Sequence, residues 1–333
     1  MPEFYPSKHR GKTHVEVLPE ETYEEQMMNT VEPLLQRCRT AGNLTIVRGM
    51  RLSYEYYLCA DPVGAIVICH GFSESAEKFR EMAYYFLEAG YSVFLYDQRG
   101  HGRSHRDVEN TEITHVEKFQ DYVNDLDLFL QRIVRPNAVN LPLYLFGHSM
   151  GGAVAALHLS QHPIAFRKAL LNAPMIAAKT LNTPPWAAKL FVNLLCLARQ
   201  GKEKLFFYRG FNENEDFAQS ADTSFARFEY YRQKRLYYRH LRNTAPTYQW
   251  LKNALGVTKI LLKKDNCAAV QAPVLLLQAE NDVFVHDEPQ ELYIRRIPHG
   301  ELERIPGSKH EIYLSENRVL QPYLDRILAF FAK

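Results

Sequence analysis

From residue 43 onward the chain alternates short β-branched or aromatic runs with longer stretches of helical spacing. Leu44–Arg48 and Leu52–Leu58 read as a strand pair around Gly49. Ala65–Cys69 is a continuous apolar run ending at His70-Gly71, the pattern of a strand buried on both faces. Ala76–Ala89 has helical spacing and stops at Gly90. Ser92–Tyr96 predicts a strand that leads into the glycine turn Arg99-Gly100-His101-Gly102. Val116–Val134 predicts a helix, Leu143–Phe146 a strand, Met150–Gln161 a helix and Ala169–Asn172 a strand. Such alternation predicts right-handed βαβ units and a mostly parallel sheet.

Between Pro174 and Lys264 the alternation stops and the chain reads as helices without strands, rich in Lys, Arg, Tyr and Phe. Residues 176–262 hold 14 Lys and Arg against 6 Asp and Glu, a charge of +8, so the remainder of this +2 chain carries −6. The strand–helix pattern resumes with Val274–Gln278, Glu291–Arg296 and Leu302–Ile305, and ends in a helix from Asn317 to Ala332. The expected organisation is an N-terminal extension over 1–42, an α/β core from 43–175 and 265–333, and a helical cap inserted at 176–264.

At 333 residues and 46% hydrophobic content, the chain can bury a sizeable core without metals or disulfides. The near-balanced charge argues against a dedicated nucleic-acid binder. No apolar stretch of about seven residues follows the basic Lys8, His9, Arg10 and Lys12, so no secretory signal is read. Ala65–Cys69 and Leu190–Ala198 (broken by Asn193) are the longest apolar segments, far short of the ~20 residues a membrane helix needs. Five cysteines, an odd number without CxxC spacing, imply neither a disulfide framework nor a zinc site. The expected location is the cytoplasm, with loose attachment to the inner membrane left open.

Gly147-His148-Ser149-Met150-Gly151 matches G-x-S-x-G. The pattern alone arises by chance about once in ten chains of this length. Here it follows a predicted strand and opens a predicted helix, the context a nucleophile elbow requires. A serine that merely caps the helix needs no glycine on both sides. A serine hydroxyl needs a base near neutral pH. In α/β-hydrolases the chain order is serine, acid, histidine. Asp282 follows the strand Val274–Gln278, and His310 follows Leu302–Ile305 in the loop Pro306-Gly307-Ser308-Lys309-His310. His310 is assigned as general base and then acid, and Asp282 as the carboxylate that orients it. Asp282 is favoured over Glu280 and over Asp287, whose place suits a helix cap. Oxyanion donors are assigned to the backbone N–H groups of Met150 and of Phe72, in the loop after the third strand. His70, Asp97, Arg99 and His101 read as loop and turn architecture, and Ser73, Glu74 and Ser75 as braces of the oxyanion loop.

Together, His70-Gly71, Asp97-x-Arg99-Gly100-His101-Gly102-x-Ser104, Gly147-x-Ser149-x-Gly151-Gly152, Asp282 and Gly307-x-x-His310 resemble the α/β-hydrolase family of monoacylglycerol lipases and lysophospholipases. Glu74-Ser75, Phe119-x-Asp121-Tyr122-Val123-x-Asp125-Leu126, Pro246-Thr247-Tyr248-x-Trp250 and Leu275–Glu280 are similar to its bacterial lysophospholipases. The resemblance implies an eight-stranded α/β-hydrolase fold, a cap inserted after the sixth strand, and cleavage of the acyl ester of a lysophospholipid. Neither a metal nor an organic cofactor is needed for that chemistry.

The run from Arg227 to Arg242 interleaves cations with aromatics, which suits peripheral contact with an anionic membrane. Arginines also hold phosphate through paired hydrogen bonds. Arg227, Arg232 and Arg235, with Tyr248 and Trp250, are therefore the candidate substrate-binding residues of the cap. The bland alternative is an exposed helical face with aromatics packed beneath. No stacking-platform motif accompanies the run, so nucleic acid is discounted as a partner. The chemical rivals are the same triad acting on a monoacylglycerol, a short-chain ester, a thioester or a peptide bond. The rival from another class is a catalytically silent hydrolase-fold binding protein. The pattern carries no signal of oligomeric state.

Overall fold

The continuous apolar runs form the middle of the sheet. The computed structural model describes residues 3–6, 11–47, 49–180 and 183–333. The basic Lys8, His9 and Arg10, and Arg48 at the end of the first expected strand, lie outside the described residues. The main sheet has eight strands: β1 (Arg39–Val47), β2 (Met50–Tyr57), β3 (Gly64–Cys69), β4 (Tyr91–Tyr96), β5 (Leu143–His148), β6 (Lys168–Asn172), β7 (Val274–Ala279) and β8 (Gly300–Ile305). Their order is β1-β2-β4-β3-β5-β6-β7-β8. β1 and β2 pair antiparallel, as do β2 and β4, and every other pairing is parallel. This is a mostly parallel α/β-hydrolase sheet flanked by helices.

Every residue of β3, β4, β5, β6 and β7 is buried, because helices cover both faces of the sheet. Strand alternation divides the core in two. Ile66 and Ile68 of β3 point to one cluster with Phe79, Phe86, Leu320, Leu324 and Phe331, while Val67 and Cys69 point to the other with Phe94, Leu126, Val154 and Val257. The flanking helices used below are α1 (Arg80–Glu88), α2 (Gln120–Phe129) and α3 (Ser149–Gln161). After β6 come α4 (Pro185–Leu197), α5 (Phe225–Tyr237) and α6 (Tyr248–Leu261), then α7 (Asp287–Arg296) and α8 (Asn317–Ala332). Glu291–Arg296 thus belongs to a helix, between strands β7 and β8.

The N-terminal segment is more structured than its polar composition suggests. β1 begins at Arg39, inside the residues read as an extension. Tyr23, Met27, Val31, Leu35 and Cys38 form a buried stripe along a helical run from Glu20 to Cys38, packed into the same core as α8. The spacing of four from Tyr23 to Leu35 drifts on an ideal 3.6-residue helix, and a π-helical stretch at Met27–Val31 takes up the drift.

Among the described residues, 176–264 add no strand to the main sheet; Ala245–Pro246 pairs with Ile113–Thr114, and single bridges join Ala178 to Val285 and Lys204 to Thr247. Within this segment α4 packs on α6, and α6 packs on α3. No helix among the described residues is long and apolar enough to cross a membrane. The sheet order turns around at β3: the chain steps outward to β4 and then returns to β5 on the other side. In open α/β sheets the loops at such a switch point frame the ligand crevice.

Candidate active site

Ser149 sits where β5 turns sharply into α3, with φ at +51°. A non-glycine residue held in the left-handed region is strained, and the surroundings must enforce it. The turn closes only because Gly151 has no side chain: a Cβ there would lie 2.1 Å from the Cys69 carbonyl oxygen. The Ser149 Oγ lies 2.8 Å from Nε2 of His310, and Nδ1 of His310 lies 2.6 Å from Oδ2 of Asp282. All three residues are buried, on loops at the carboxyl ends of β5, β7 and β8. The second Asp282 oxygen accepts from the Phe284 N–H at 2.8 Å and the Val285 N–H at 3.1 Å, which fixes the carboxylate plane. Burial alone would raise the Asp282 carboxyl, but the His310 hydrogen bond, its charge and the two N–H donors hold it below the ordinary value.

The loop after β3 presses against this serine. A Cβ on Gly71 would stand 3.1 Å from the Ser149 Cβ, so glycine lets the loop approach. The Phe72 N–H finds no acceptor among the described residues, and nor does the Met150 N–H, left over in the first turn of α3. His70 anchors the loop. Its Nε2 accepts from the Gln98 N–H at 2.9 Å, so the proton is on Nδ1, which donates to the Gly71 carbonyl at 2.7 Å. Burial pushes His70 down to about 4. Glu74 accepts from the Gly71 N–H at 2.5 Å and from the Tyr313 hydroxyl. Lys78 Nζ lies 3.4 Å from Glu74 and 2.5 Å from Glu311, the residue after His310. Asp97 accepts from the Ala76 and Arg103 N–H groups, both at 2.8 Å, and Arg99 pairs with Asp125. These residues are architecture around the site.

Of the five cap residues expected at the substrate, Trp250 reaches the site's edge, with its ring 4.4 Å from that of Phe72. Tyr248 is buried in a small cluster with Val192 and Leu205 that joins the insertion's own elements. Arg227 is a correction: its side chain is fully buried, ion-paired to Glu81 at 2.9 Å and donating to the Ser315 carbonyl at 3.2 Å. The face of α5 that carries it packs inward, so it is not offered to a ligand. Arg232 is engaged by Glu229 at 2.7 Å, and Arg235 by Glu215 at 2.6 Å while stacking over Phe211. Among the described residues none of the three arginines contacts Ser149, His310 or Asp282.

Two features escaped the sequence reading. One is that Lys78 and Glu311, ordinary-looking charges in sequence, join the expected loop brace Glu74 in a buried cluster behind His310. The other is α4, where Trp186, Leu190, Phe191, Leu194 and Leu197 are all exposed. The spacing 186, 190, 194, 197 is a readable helical stripe. Lys179, at the start of the same segment, donates to the Asp282 carbonyl at 2.6 Å.

Comparison with known proteins adds to this geometry. The Hydrolase_4 family (serine aminopeptidase, S33) matches residues 60–317. The chain is 32% identical over 275 residues to lysophospholipase L2 of Escherichia coli K12, covering 80% of this chain and 79% of that one. It is 26% identical over 292 residues to a probable lysophospholipase L2 of Haemophilus influenzae, covering 85% and 89%. A carboxyl esterase from Bacillus coagulans shares the fold, with a TM-score of 0.72 at 18% identity over 88% of this chain and 98% of the esterase.

Proposed function

The chain belongs to the Hydrolase_4 family of α/β-hydrolases and is an ester hydrolase, and from that premise we propose that it is a lysophospholipase working through a Ser149–His310–Asp282 triad. The observation that carries the reading is the continuous hydrogen-bonded path from Ser149 Oγ through His310 to Asp282, at 2.8 and 2.6 Å. His310 takes the hydroxyl proton as Ser149 attacks the ester carbonyl. The Phe72 and Met150 N–H groups hold the developing oxyanion. Collapse breaks the ester C–O bond, and His310 hands its proton to the departing glycerophospho-alcohol. Water, deprotonated by His310, then attacks the acyl-serine; the acyl C–Oγ bond breaks, His310 returns the proton to Ser149, and the fatty acid is released. Asp282 keeps the imidazole in the needed tautomer and stabilises its cation.

Residues 176–264 act in this reading as a cap, pinned beside the acid by Lys179 and beside the oxyanion loop by Trp250. Its membrane-facing surface is the apolar stripe of α4, with Lys189, Arg199, Lys202 and Lys204 nearby in sequence, rather than the Arg227–Arg242 run. What supports a lysophospholipid over other esters is the similarity to lysophospholipase L2 across four fifths of the chain.

The test is hydrolysis by wild type and Ser149→Ala of a long-chain lysophospholipid, the matching monoacylglycerol and a short p-nitrophenyl ester. The expected result is the highest kcat/KM on lysophospholipid and loss of activity in the variant. A clear preference for monoacylglycerol reassigns the substrate. Turnover of the short ester alone removes the lipid assignment. No turnover by folded protein favours the silent binding protein.

A further inference from the structure

Helix α3 carries the candidate nucleophile at its first residue and two histidines at its far end. His158 is completely buried, and neither of its ring nitrogens has a hydrogen-bond partner among the described residues. A buried, unpartnered polar ring calls for an explanation. Its Nε2 faces Oδ1 of Asp127, on α2, at 3.6 Å, too far for a hydrogen bond. One turn on, His162 ends the helix, its N–H bonded to the His158 carbonyl, and its Nδ1 lies 3.8 Å from the same Asp127 oxygen. The two imidazoles stack at 4.5 Å with 22° between their planes.

From this geometry we propose that Asp127, His158 and His162 form a zinc-type divalent cation site that ties the end of α2 to the end of α3. One ligand atom from each of the three lies within 4.8 Å of the others. Tetrahedral zinc with bonds of about 2.0–2.1 Å places its ligand atoms roughly 3.3–3.5 Å apart. The two distances to Asp127 Oδ1 are already close to that. The remaining imidazole pair closes by about 1.5 Å at most, and His162, at the helix end with its side chain 40% exposed, is free to supply the movement.

The surrounding chemistry agrees. Histidines at i and i+4 project from one helix face, the spacing of a two-histidine chelate. Two imidazoles and one carboxylate select a borderline cation such as Zn²⁺ over Mg²⁺ or Ca²⁺, which prefer all-oxygen sets. The other Asp127 oxygen accepts from Gln131 at 2.5 Å, an outer-shell hydrogen bond that leaves Oδ1 for the ion. A surface cavity lined by Asn124, Asp127, Gln131 and His162 gives entry and room for a water as fourth ligand. The partial negative charge of the α3 carboxyl end also favours a cation there. Nine residues separate His158 from Ser149 along the helix, about 14 Å. The site is therefore outside the ester chemistry and acts on stability.

The test uses the full chain, dialysed against EDTA and titrated with ZnCl₂ by calorimetry and by thermal melts. Wild type and Ser149→Ala are expected to bind one equivalent and to melt higher with Zn²⁺. His162→Ala and Asp127→Asn, both at partly exposed positions, should weaken binding at least about 10–100-fold and lose the shift in melting. Ester hydrolysis by the metal-free variants should match that of metal-free wild type. Should His162→Ala fail to fold, His162→Gln and the absorption spectrum of Co²⁺-loaded wild type replace it, a tetrahedral spectrum being the expected result. Absence of Zn²⁺ binding, equal binding in the folded variants, or an octahedral Co²⁺ spectrum overturns the proposal.

Discussion

Arg227 and Glu81, 146 residues apart in the chain, form a fully buried ion pair in which the guanidinium Nε and Nη2 both donate to the carboxylate, at 2.9–3.1 Å. Tyr23 and Tyr85 hydroxyls donate to the same carboxylate at 2.8 and 2.6 Å. The pair joins α5, the N-terminal helical run and α1. Removing Arg227 leaves the Glu81 carboxylate buried without its counter-charge, held by the two tyrosine hydroxyls alone, a loss of about 3–5 kcal/mol. Arg227→Ala is therefore expected to lower the urea midpoint strongly. KM for lysophospholipid in the protein that remains folded should stay unchanged. A raised KM with unaltered stability would restore Arg227 to the substrate.

What the sequence made legible follows from physical reach. The fully buried strands β3 to β7 stand out because burial on both faces demands an unbroken apolar run. The turn at Ser149 stands out because close passage of strand and helix demands glycine at fixed offsets, and the serine–acid–histidine order places Asp282 and His310 on loops at one sheet edge. The start of β1 at Arg39 was hidden, since an edge strand of half-exposed residues such as Arg39 and Thr40 and exposed ones such as Asn43 has no apolar signature. The fate of Arg227 was hidden for another reason. Periodicity says which residues share a helix face, but not that Glu81, far away in sequence, covers it.

Glu74 is expected to act as a positioning residue for the oxyanion loop. Its two oxygens take one hydrogen bond from the Gly71 N–H and one from Tyr313. Glu74→Gln replaces one acceptor oxygen with a donor that faces either an N–H or a hydroxyl. The Phe72 N–H then loses its fixed placement. A displacement of about 1 Å near reacting atoms costs up to roughly 100-fold in rate. The expected signature is a lower kcat with KM little changed on the short ester. A rise in KM alone would mean that the loop shapes binding instead.

The exposed face of α4 is expected to govern attachment to lipid. Trp186 and Leu197 are 71% and 79% exposed, values that an isolated globular surface has no reason to cluster on one helix. Leu190→Asp combined with Leu194→Asp should weaken binding to vesicles containing anionic phospholipid, with hydrolysis of a soluble short ester preserved. Flotation with vesicles checks the first arm and a chromogenic assay the second. Undiminished flotation would remove α4 from the contact.

Acid should destabilise the fold well above the range where carboxylates titrate. Burial pushes His70 from its ordinary 6.5 down to about 4, and it holds His101 and His148 well below 6.5 as well. His148 illustrates the cause: it is buried in a pocket closed by Phe79, Tyr313 and His310, with its Nδ1 2.8 Å from the Asn172 side-chain amide and 3.1 Å from the Asn172 carbonyl. Between pH 6.5 and about 4 the unfolded chain binds a proton at His70 that the folded chain does not, and below 6.5 the same holds at His101 and His148 down to their own lowered values. Stability therefore falls as pH is lowered through that window, by about 1.4 kcal/mol per pH unit for each histidine. The Glu311 carboxylate adds a second limb lower down. Burial alone would raise it, but Lys78 and the hydrogen bond from Asp222 hold it at about 2, so its contribution is full above 4.5 and is lost as pH falls toward 2. Thermal melts in EDTA from pH 7.5 to 5 should be level down to about 6.5 and decline below it. Calorimetry near pH 5.3 in buffers of different ionisation enthalpy should report net proton uptake on unfolding. A melting temperature flat to pH 5 would mean that the buried rings are protonated in the folded state, contrary to the hydrogen bonds assigned to His70.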